Sequence, residues 1–234
     1  ISAAVDFLSA QGFGKIGFIG HSEGGLIAPI VAVQNKKVQF IISLAGPGIP
    51  IDQMMLLQSQ AIAKSQGATP AQIEASTAFN QKVYAYIINY KGADLKTDFQ
   101  PFVKEEFKKI TQSQGLSESQ IDNFVAQQTQ NITSSWYVYF IKFNPDLYWS
   151  KLKIPVLALN GSLDVQVKAT ENLAGIQASL SKAGNKKVAI KELPGLNHLF
   201  QEAKTGATAE YLTIEQTFAP LVLDTMSNWI LGIK

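Results

Sequence analysis

Short apolar runs and longer stretches with helical spacing alternate at both ends of the chain. The apolar runs predict four strands, at residues 15–20, 38–44, 154–160 and 187–193. Apolar residues spaced three and four apart predict helices beside them, at 1–11, 23–33, 169–183 and 220–231. The order of strand, helix and strand predicts an α/β fold with a mostly parallel sheet and helices on both faces.

The middle of the chain has a different pattern, in which helical spacing dominates and no strand is predicted. Helices are expected at 52–66, 70–91, 99–114 and from Ser117 onward. Two of them open with capping boxes, Thr69–Gln72 and Ser117–Gln120. The pattern assigns no secondary structure to the aromatic-rich stretch 136–143. We therefore expect three parts: an α/β core at 1–49, a helical cap inserted at 50–145 and a second core segment at 146–234.

A candidate nucleophile lies where the first strand runs into a helix. Gly20-His21-Ser22-Glu23-Gly24 fits the pattern G-x-S-x-G, in which a serine is exposed at a sharp turn. The glycines remove Cβ atoms that would clash, and the helix N-terminus favours negative charge. Ser22 is the candidate nucleophile, and the Glu23 backbone N–H is a candidate oxyanion donor. The alternative interpretation of this short match is a glycine-rich turn without catalysis.

The partners of Ser22 are sought among the two histidines and the carboxylates. His21 adjoins Ser22 along the backbone and is a poor base, which makes it a candidate for lining a pocket. His198 follows the last predicted strand, and Asp164 follows the strand before it. Asp146 and Glu171 compete with Asp164, but the first precedes that strand and the second falls inside the next helix. The order serine, aspartate, histidine, with each residue just past a strand, predicts a catalytic triad.

Further pocket-lining candidates follow from the loops after the strands. Gly46 and Pro47 come directly after strand 38–44, at the end of the sheet where open α/β sheets bind ligands. Asn197 precedes His198 in its loop. For Gly46 and Pro47 an ordinary glycine and proline turn is the alternative.

Composition narrows the chemistry. All 20 basic residues are lysines, so no guanidinium fork can grip a carboxylate or phosphate, which favours a neutral small-molecule substrate. The net charge is only +2 and the lysine pairs are scattered, so nucleic acid is not expected. Cysteine is absent, which excludes thiol catalysis and zinc–thiolate sites and leaves the compartment open. No apolar run reaches the roughly 18 residues of a membrane span, and we predict no membrane partner, metal or cofactor.

Four segments carry a resemblance to a known family: Gly20–Gly25, Leu44–Gly48, Pro155–Asp164 and Leu193–Gln201. On these residues the chain resembles the α/β-hydrolase family, within it the bacterial serine esterases allied to the dienelactone-hydrolase and prolyl-oligopeptidase branches. The resemblance implies the α/β-hydrolase fold with an inserted cap. It also implies ester hydrolysis, in which Ser22 attacks a carbonyl, His198 transfers the proton and Asp164 holds the histidine. A peptidase or amidase of this fold and a non-catalytic binding module are the alternatives.

The chain departs from the family pattern at its start. The family has several strands before the elbow strand, and a loop after one of them donates the second oxyanion N–H. Those N-terminal strands are missing from this sequence. We therefore expect them to come from a longer chain or from another chain, because an uncovered sheet edge would expose apolar residues.

Overall fold

The structure is a computed structural model that describes residues 1–111 and 115–233 of the 234. Its four strands are β1 (Ile16–His21), β2 (Val38–Leu44), β3 (Val156–Gly161) and β4 (Val188–Leu193). The helices near the strands in sequence are α1 (Ser2–Ala10), α2 (Glu23–Gln34), α3 (Ile51–Ser65), α8 (Asp146–Trp149), α9 (Ala169–Lys182) and α10 (Pro220–Gly232). The helices between them are α4 (Pro70–Asn89), α5 (Leu95–Thr111), α6 (Glu118–Ile132) and α7 (Ser135–Ile141). A 3₁₀ helix covers Thr208–Leu212.

The four strands form one parallel sheet in the order β1-β2-β3-β4. His21 pairs with Leu44, Leu44 with Leu159, and Gly161 with Leu193, so the carboxyl ends of all four strands meet at one edge. The loops that follow the strands therefore start close together. This is the edge at which α/β sheets place their ligands.

Helices cover both faces of the sheet, as the continuous apolar strands predict. On one face Ile41, Val156 and Ala158 pack in a buried cluster with residues of α1, α2, α8 and α9. On the other face Ile42 and Leu157 pack against α10. Ile41, Ile42, Val156 and Leu157 are all 0% exposed, because a parallel strand between two helical layers buries the side chains on both of its faces.

The edge formed by β1 is less well covered. Ile19 pairs with Ile42 and therefore lies on the α10 face, yet it is 53% exposed. Ile42, on the neighbouring strand, is fully buried. Phe7 of α1 and Phe13, just before β1, are also more than half exposed. The apolar surface of the sheet thus reaches solvent at β1.

The chain divides into two compact units: residues 1–66 with 144–234, which contain the sheet, and residues 67–143, which are helical. The side chain of Gln58 in α3 donates to the backbone oxygen of Gln166, so α3 is tied to the sheet-bearing unit. The sequence pattern instead predicts this helix at the start of the insertion. The division at 1–49, 50–145 and 146–234, and a cap role for the insertion, stay predictions.

The helical unit has its own core and its predicted caps. Buried apolar side chains come from all four helices, for example Ile87, Phe99, Val125 and Ile141. Both capping boxes form: in the first, the Gln72 N–H donates to Thr69 Oγ1 and the Thr69 N–H donates to Gln72 Oε1. Among the described residues, no helix is long and apolar enough to cross a bilayer.

Several of the observed helices differ from the sequence pattern or add to it. Helix α5 begins at Leu95 rather than at 99, because the Asp94 carboxylate accepts the Thr97 N–H and starts the helix earlier. Its predicted end at 112–114 lies outside the described residues. The unassigned stretch 136–143 is mostly α7, whose N-cap is Ser134. Neither α8 nor the 3₁₀ helix is predicted from the sequence.

Candidate active site

Ser22 occupies a strained turn between β1 and α2. Its φ is 55° and its ψ is −119°, a conformation that costs a non-glycine residue about 1–3 kcal/mol. Its N–H donates to the oxygen of Leu44 at 2.8 Å, so the end of β2 holds the backbone where the chain leaves β1. Helix α2 begins at the next residue, which places the Glu23 N–H at a helix N-terminus. The side chain of Ser22 is half-buried.

Two of the glycines around Ser22 are required by close backbone packing. A Cβ on Gly20 would collide with the carbonyl group of Gly24 and would lie 2.7 Å from the Gly25 nitrogen. A Cβ on Gly25 would lie 2.7 Å from the Gly46 Cα. A Cβ on Gly24 would meet nothing within 4 Å. The tight elbow therefore depends on Gly20 and Gly25, and Gly24 is sterically replaceable.

Asp164 is held by a complete set of hydrogen bonds after β3. It is 1% exposed, and its Oδ1 accepts the backbone N–H groups of Gln166 at 2.7 Å and Val167 at 2.8 Å. Its Oδ2 accepts the Nδ1–H of His198 at 2.8 Å. The two backbone donors fix the orientation of the carboxylate. Sequence reasoning does not find them, because backbone N–H groups leave no signal in residue type.

His198 lies in a loop that its neighbour Asn197 organises. The Asn197 Oδ1 accepts the N–H groups of Leu199 at 2.9 Å and Gln201 at 3.0 Å, and its Nδ2 donates to Gln201 Oε1 at 2.9 Å. Asn197 is 0% exposed and His198 is 4% exposed. The structure thus uses the Asn197 amide to hold the loop, and Asn197 presents no surface to a pocket. Phe200, two residues past the histidine, has a φ of 58°.

Of the two competing carboxylates, Asp146 is engaged elsewhere and Glu171 lies in the helix after the Asp164 loop. Asp146 accepts from the Ser179 hydroxyl at 2.7 Å and pairs with Lys182 at 3.1 Å. These hydrogen bonds, with the one from Ser179 contributing most, lower the Asp146 pKa below its usual value. Glu171 lies in the first turn of α9. The structure therefore brings Asp164, and neither competitor, to His198.

His21 connects the elbow to the His198 loop. Its Nε2–H donates to the backbone oxygen of His198 at 2.8 Å, and the two ring centroids are 4.8 Å apart. Although the residue as a whole is exposed, its imidazole packs against His198 and meets Phe200 edge-on. Loss of hydration on this side lowers the His21 pKa below its usual value. The sequence places these two histidines 177 positions apart, and nothing in its local pattern reveals their contact.

Gly46 and Pro47 lie at the same edge of the sheet. Both are buried, and they follow Ala45, which has a φ of 49°. Ser22, Ala45 and Phe200 are the non-glycine residues of positive φ in the described chain, and each lies in a loop after a strand. Backbone strain of this kind concentrates at functional sites. Within residues 1–111 and 115–233, no group of three or more histidine, aspartate or glutamate side chains could hold a metal ion.

The sequence of residues 2–202 matches a protein family described as BAAT / Acyl-CoA thioester hydrolase C terminal. The match covers well over half of the chain. The chain belongs to this family. Membership and the parallel sheet with helices on both faces confirm the α/β-hydrolase fold, and with it the resemblance seen in the sequence. The narrower assignment to the dienelactone-hydrolase and prolyl-oligopeptidase branches stays a prediction.

Three solved structures that are similar to this family member are distant from it in sequence. A proline iminopeptidase-related protein from Thermus thermophilus is 14% identical, with a TM-score of 0.40, 82% of this chain covered and 60% of that one. A Pyrococcus furiosus esterase is 18% identical, with a TM-score of 0.41 and coverages of 82% and 51%. An α/β hydrolase enzyme from a Medee basin deep-sea metagenome library is 9% identical, with a TM-score of 0.47 and coverages of 99% and 70%. The chain thus spans only about half to two thirds of the first two structures. No curated protein matches its sequence.

Proposed function

We propose that this hydrolase-family chain carries a serine hydrolase site with Ser22 as nucleophile, His198 as general base and Asp164 as its orienting carboxylate. The observation that carries the proposal is the buried 2.8 Å hydrogen bond from His198 Nδ1 to Asp164 Oδ2, in a loop that contacts the residue before Ser22. Because the Nδ1 proton of the neutral imidazole is donated in the hydrogen bond to Asp164, Nε2 has a lone pair with which to accept a proton from Ser22. The two backbone donors to Asp164 support this role, because they hold the carboxylate in the orientation that a catalytic histidine requires.

The proposed reaction has two halves. Ser22 Oγ attacks the substrate carbonyl carbon while His198 Nε2 takes the hydroxyl proton, and Asp164 stabilises the imidazolium. His198 then gives this proton to the leaving group as the carbonyl–leaving-group bond breaks, which leaves an acyl-enzyme. A water then gives a proton to His198 Nε2 and attacks the acyl carbon; as the bond from that carbon to Ser22 Oγ breaks, the proton passes to Oγ and the carboxylic acid leaves. The Glu23 N–H at the start of α2 is one proposed donor to the oxyanion.

The proposal includes strands beyond those of the structure. Strand β1 is an edge strand, and Ile19 on it is 53% exposed. A strand paired with β1, from a longer chain or another chain, would cover this surface, and a loop at its end would supply the second oxyanion donor. Loss of one such donor lowers the rate about a hundredfold to a thousandfold.

The proposed substrates are uncharged carboxylic esters, because every cation in the chain is a lysine and none offers a bidentate fork. The family description adds acyl-CoA thioesters as a second candidate class. The same triad also hydrolyses amides on related folds. Three substrates with one acyl group, an oxygen ester, a thioester and an anilide, would rank the classes by kcat/KM. We expect the ester or the thioester to lead, and a preference for the anilide would indicate an amidase.

The test of the site is covalent labelling of the purified protein by a fluorophosphonate, followed by mass spectrometry. We expect a single adduct on Ser22 of the wild type and burst release of product from a chromogenic ester. Both the adduct and the burst should be lost in Ser22→Ala. Ser65→Ala, which removes an exposed serine hydroxyl from the end of α3, is the matched control and should label normally. Full ester turnover by Ser22→Ala would overturn the proposal, and an unlabelled wild type would favour a non-catalytic binding module.

A further inference from the structure

We propose that His21 is a positioning residue, whose hydrogen bond to the His198 backbone holds the catalytic base in register with the nucleophile. This inference rests on the proposed serine hydrolase function. It assigns to His21 a task other than lining a pocket. His21 directly precedes Ser22, so one end of the tie is fixed to the elbow itself, and the other end is the carbonyl of the base.

The loop that carries His198 also has hydrogen bonds within itself, to the segment after β3 and, through Phe200 and Gln201, to the segment before α10. Asn197 ties the loop to itself. The Leu163 N–H donates to the Leu196 oxygen, and the Gly195 N–H donates to Ser162 Oγ, so these bonds tie the loop to the segment after β3. Asp164 belongs to that same segment. Asp164 and His198 are thus held together by bonds to the segment after β3. The hydrogen bond from His21 connects His198 to the end of β1.

The tie acts on a buried group. His198 is 4% exposed, so its carbonyl oxygen has little access to water. A carbonyl that loses its donor in such a place is destabilised, and the backbone would shift to find another partner. The His198 ring moves with its backbone, and a displacement of about 1 Å between reacting groups can lower a rate about a hundredfold.

The packing of His21 also disfavours a positive charge on its ring beside His198. With its centroid 4.8 Å from the His198 ring, a protonated His21 would oppose the imidazolium that forms when Ser22 gives up its proton. The charged group facing both rings from the β3 loop is Asp164, and the other ring in contact with His21 is the uncharged Phe200. Partial burial lowers the pKa of His21 and so favours its neutral, donating form.

Two substitutions separate the hydrogen bond from simple packing. His21→Gln can place an amide N–H near the position of Nε2, and His21→Leu fills a similar volume without a donor. We expect His21→Leu to lower kcat about 10- to 100-fold with KM within about twofold, and His21→Gln to retain activity within about threefold of wild type. A residue that only fills space would give the opposite order or no difference.

A second measurement follows the loop without using activity. Amide hydrogen exchange at Leu199 and Gln201, whose N–H groups bond to Asn197, should quicken in His21→Leu and stay near wild type in His21→Gln. The melting temperatures of the variants check that both are folded. Ester turnover by His21→Leu at the wild-type rate would overturn the inference, and so would equal losses of kcat in the two variants. If the wild type itself is neither labelled nor active, the proposed function fails instead, whatever the two variants do.

Discussion

Replacing Gly20 by alanine is expected to destabilise the protein, whereas the same change at Gly24 is not, although both glycines belong to the G-x-S-x-G pattern. At Gly20 the new Cβ would overlap the Gly24 carbonyl and lie 2.7 Å from the Gly25 nitrogen. Ordinary van der Waals contact starts at 3.4 Å, so this second contact is about 0.7 Å too short. At Gly24 the Cβ would meet nothing within 4 Å.

The magnitude follows from the nature of the colliding atoms. Overpacking in a tight region usually costs about 1–3 kcal/mol, and relief comes mainly from side chains that change rotamer. The atoms facing Gly20 are backbone atoms of the elbow and the first turn of α2, so neither can rotate away. We therefore expect a loss of about 3 kcal/mol in unfolding free energy, which is about 6–12 °C in melting temperature for a protein of this size. Gly24→Ala, inside the first turn of a helix, should change it by no more than about 1 kcal/mol, in the stabilising direction.

The assay is thermal and urea unfolding of the two variants beside wild type, followed by circular dichroism and tryptophan fluorescence. Trp149 and Trp229 lie in the sheet-bearing unit and report its unfolding. Equal stability of Gly20→Ala and wild type would refute the steric argument, because it would mean that the elbow can open without cost. A loss in Gly24→Ala as large as that in Gly20→Ala would refute it too.

Two further predictions concern the proposed triad and His21. Asp164→Asn should lower kcat about 10⁴-fold, as expected when a triad histidine loses its orienting carboxylate, while Asp146→Asn should leave kcat within about twofold; steady-state kinetics on an ester measures both, and similar losses would contradict the assignment of the acid. The His21 pKa is lowered in the folded protein, so the unfolded state binds the proton more tightly. The stability that His21 contributes is therefore complete above a pH of about 6.5 and declines as the pH falls below it. The difference in unfolding free energy between wild type and His21→Gln should therefore shift against the wild type on acidification, and a constant difference would show that His21 keeps its ordinary pKa.

Much of the fold could be predicted because it depends on local pattern. Strand β2 is observed at 38–44, as predicted, and α9 and α10 end within one residue of the expected positions. Burial on both faces makes a parallel strand continuously apolar, and capping boxes mark helix starts with particular residue types. Helix α7 carries no such pattern, since nearly all of its residues are apolar or aromatic. The early start of α5 at Leu95 depends on the Asp94 side chain, a single residue that the apolar spacing does not include.

The elbow motif and the order of the candidate residues can be predicted from short segments, because the glycines, the serine and the polar residues past each strand are local features of the sequence. Which atoms meet depends on the folded chain. In the folded chain Asp164 bonds to His198, whereas Asp146 bonds to Ser179. The Asn197 side chain bonds within its own loop, and His21 bonds to the backbone oxygen of His198. The folded chain also shows that a Cβ would clash at Gly20 and would not clash at Gly24, although both glycines belong to the same motif. These outcomes depend on strand register and on backbone N–H and carbonyl groups that every residue possesses, so only the folded arrangement distinguishes them.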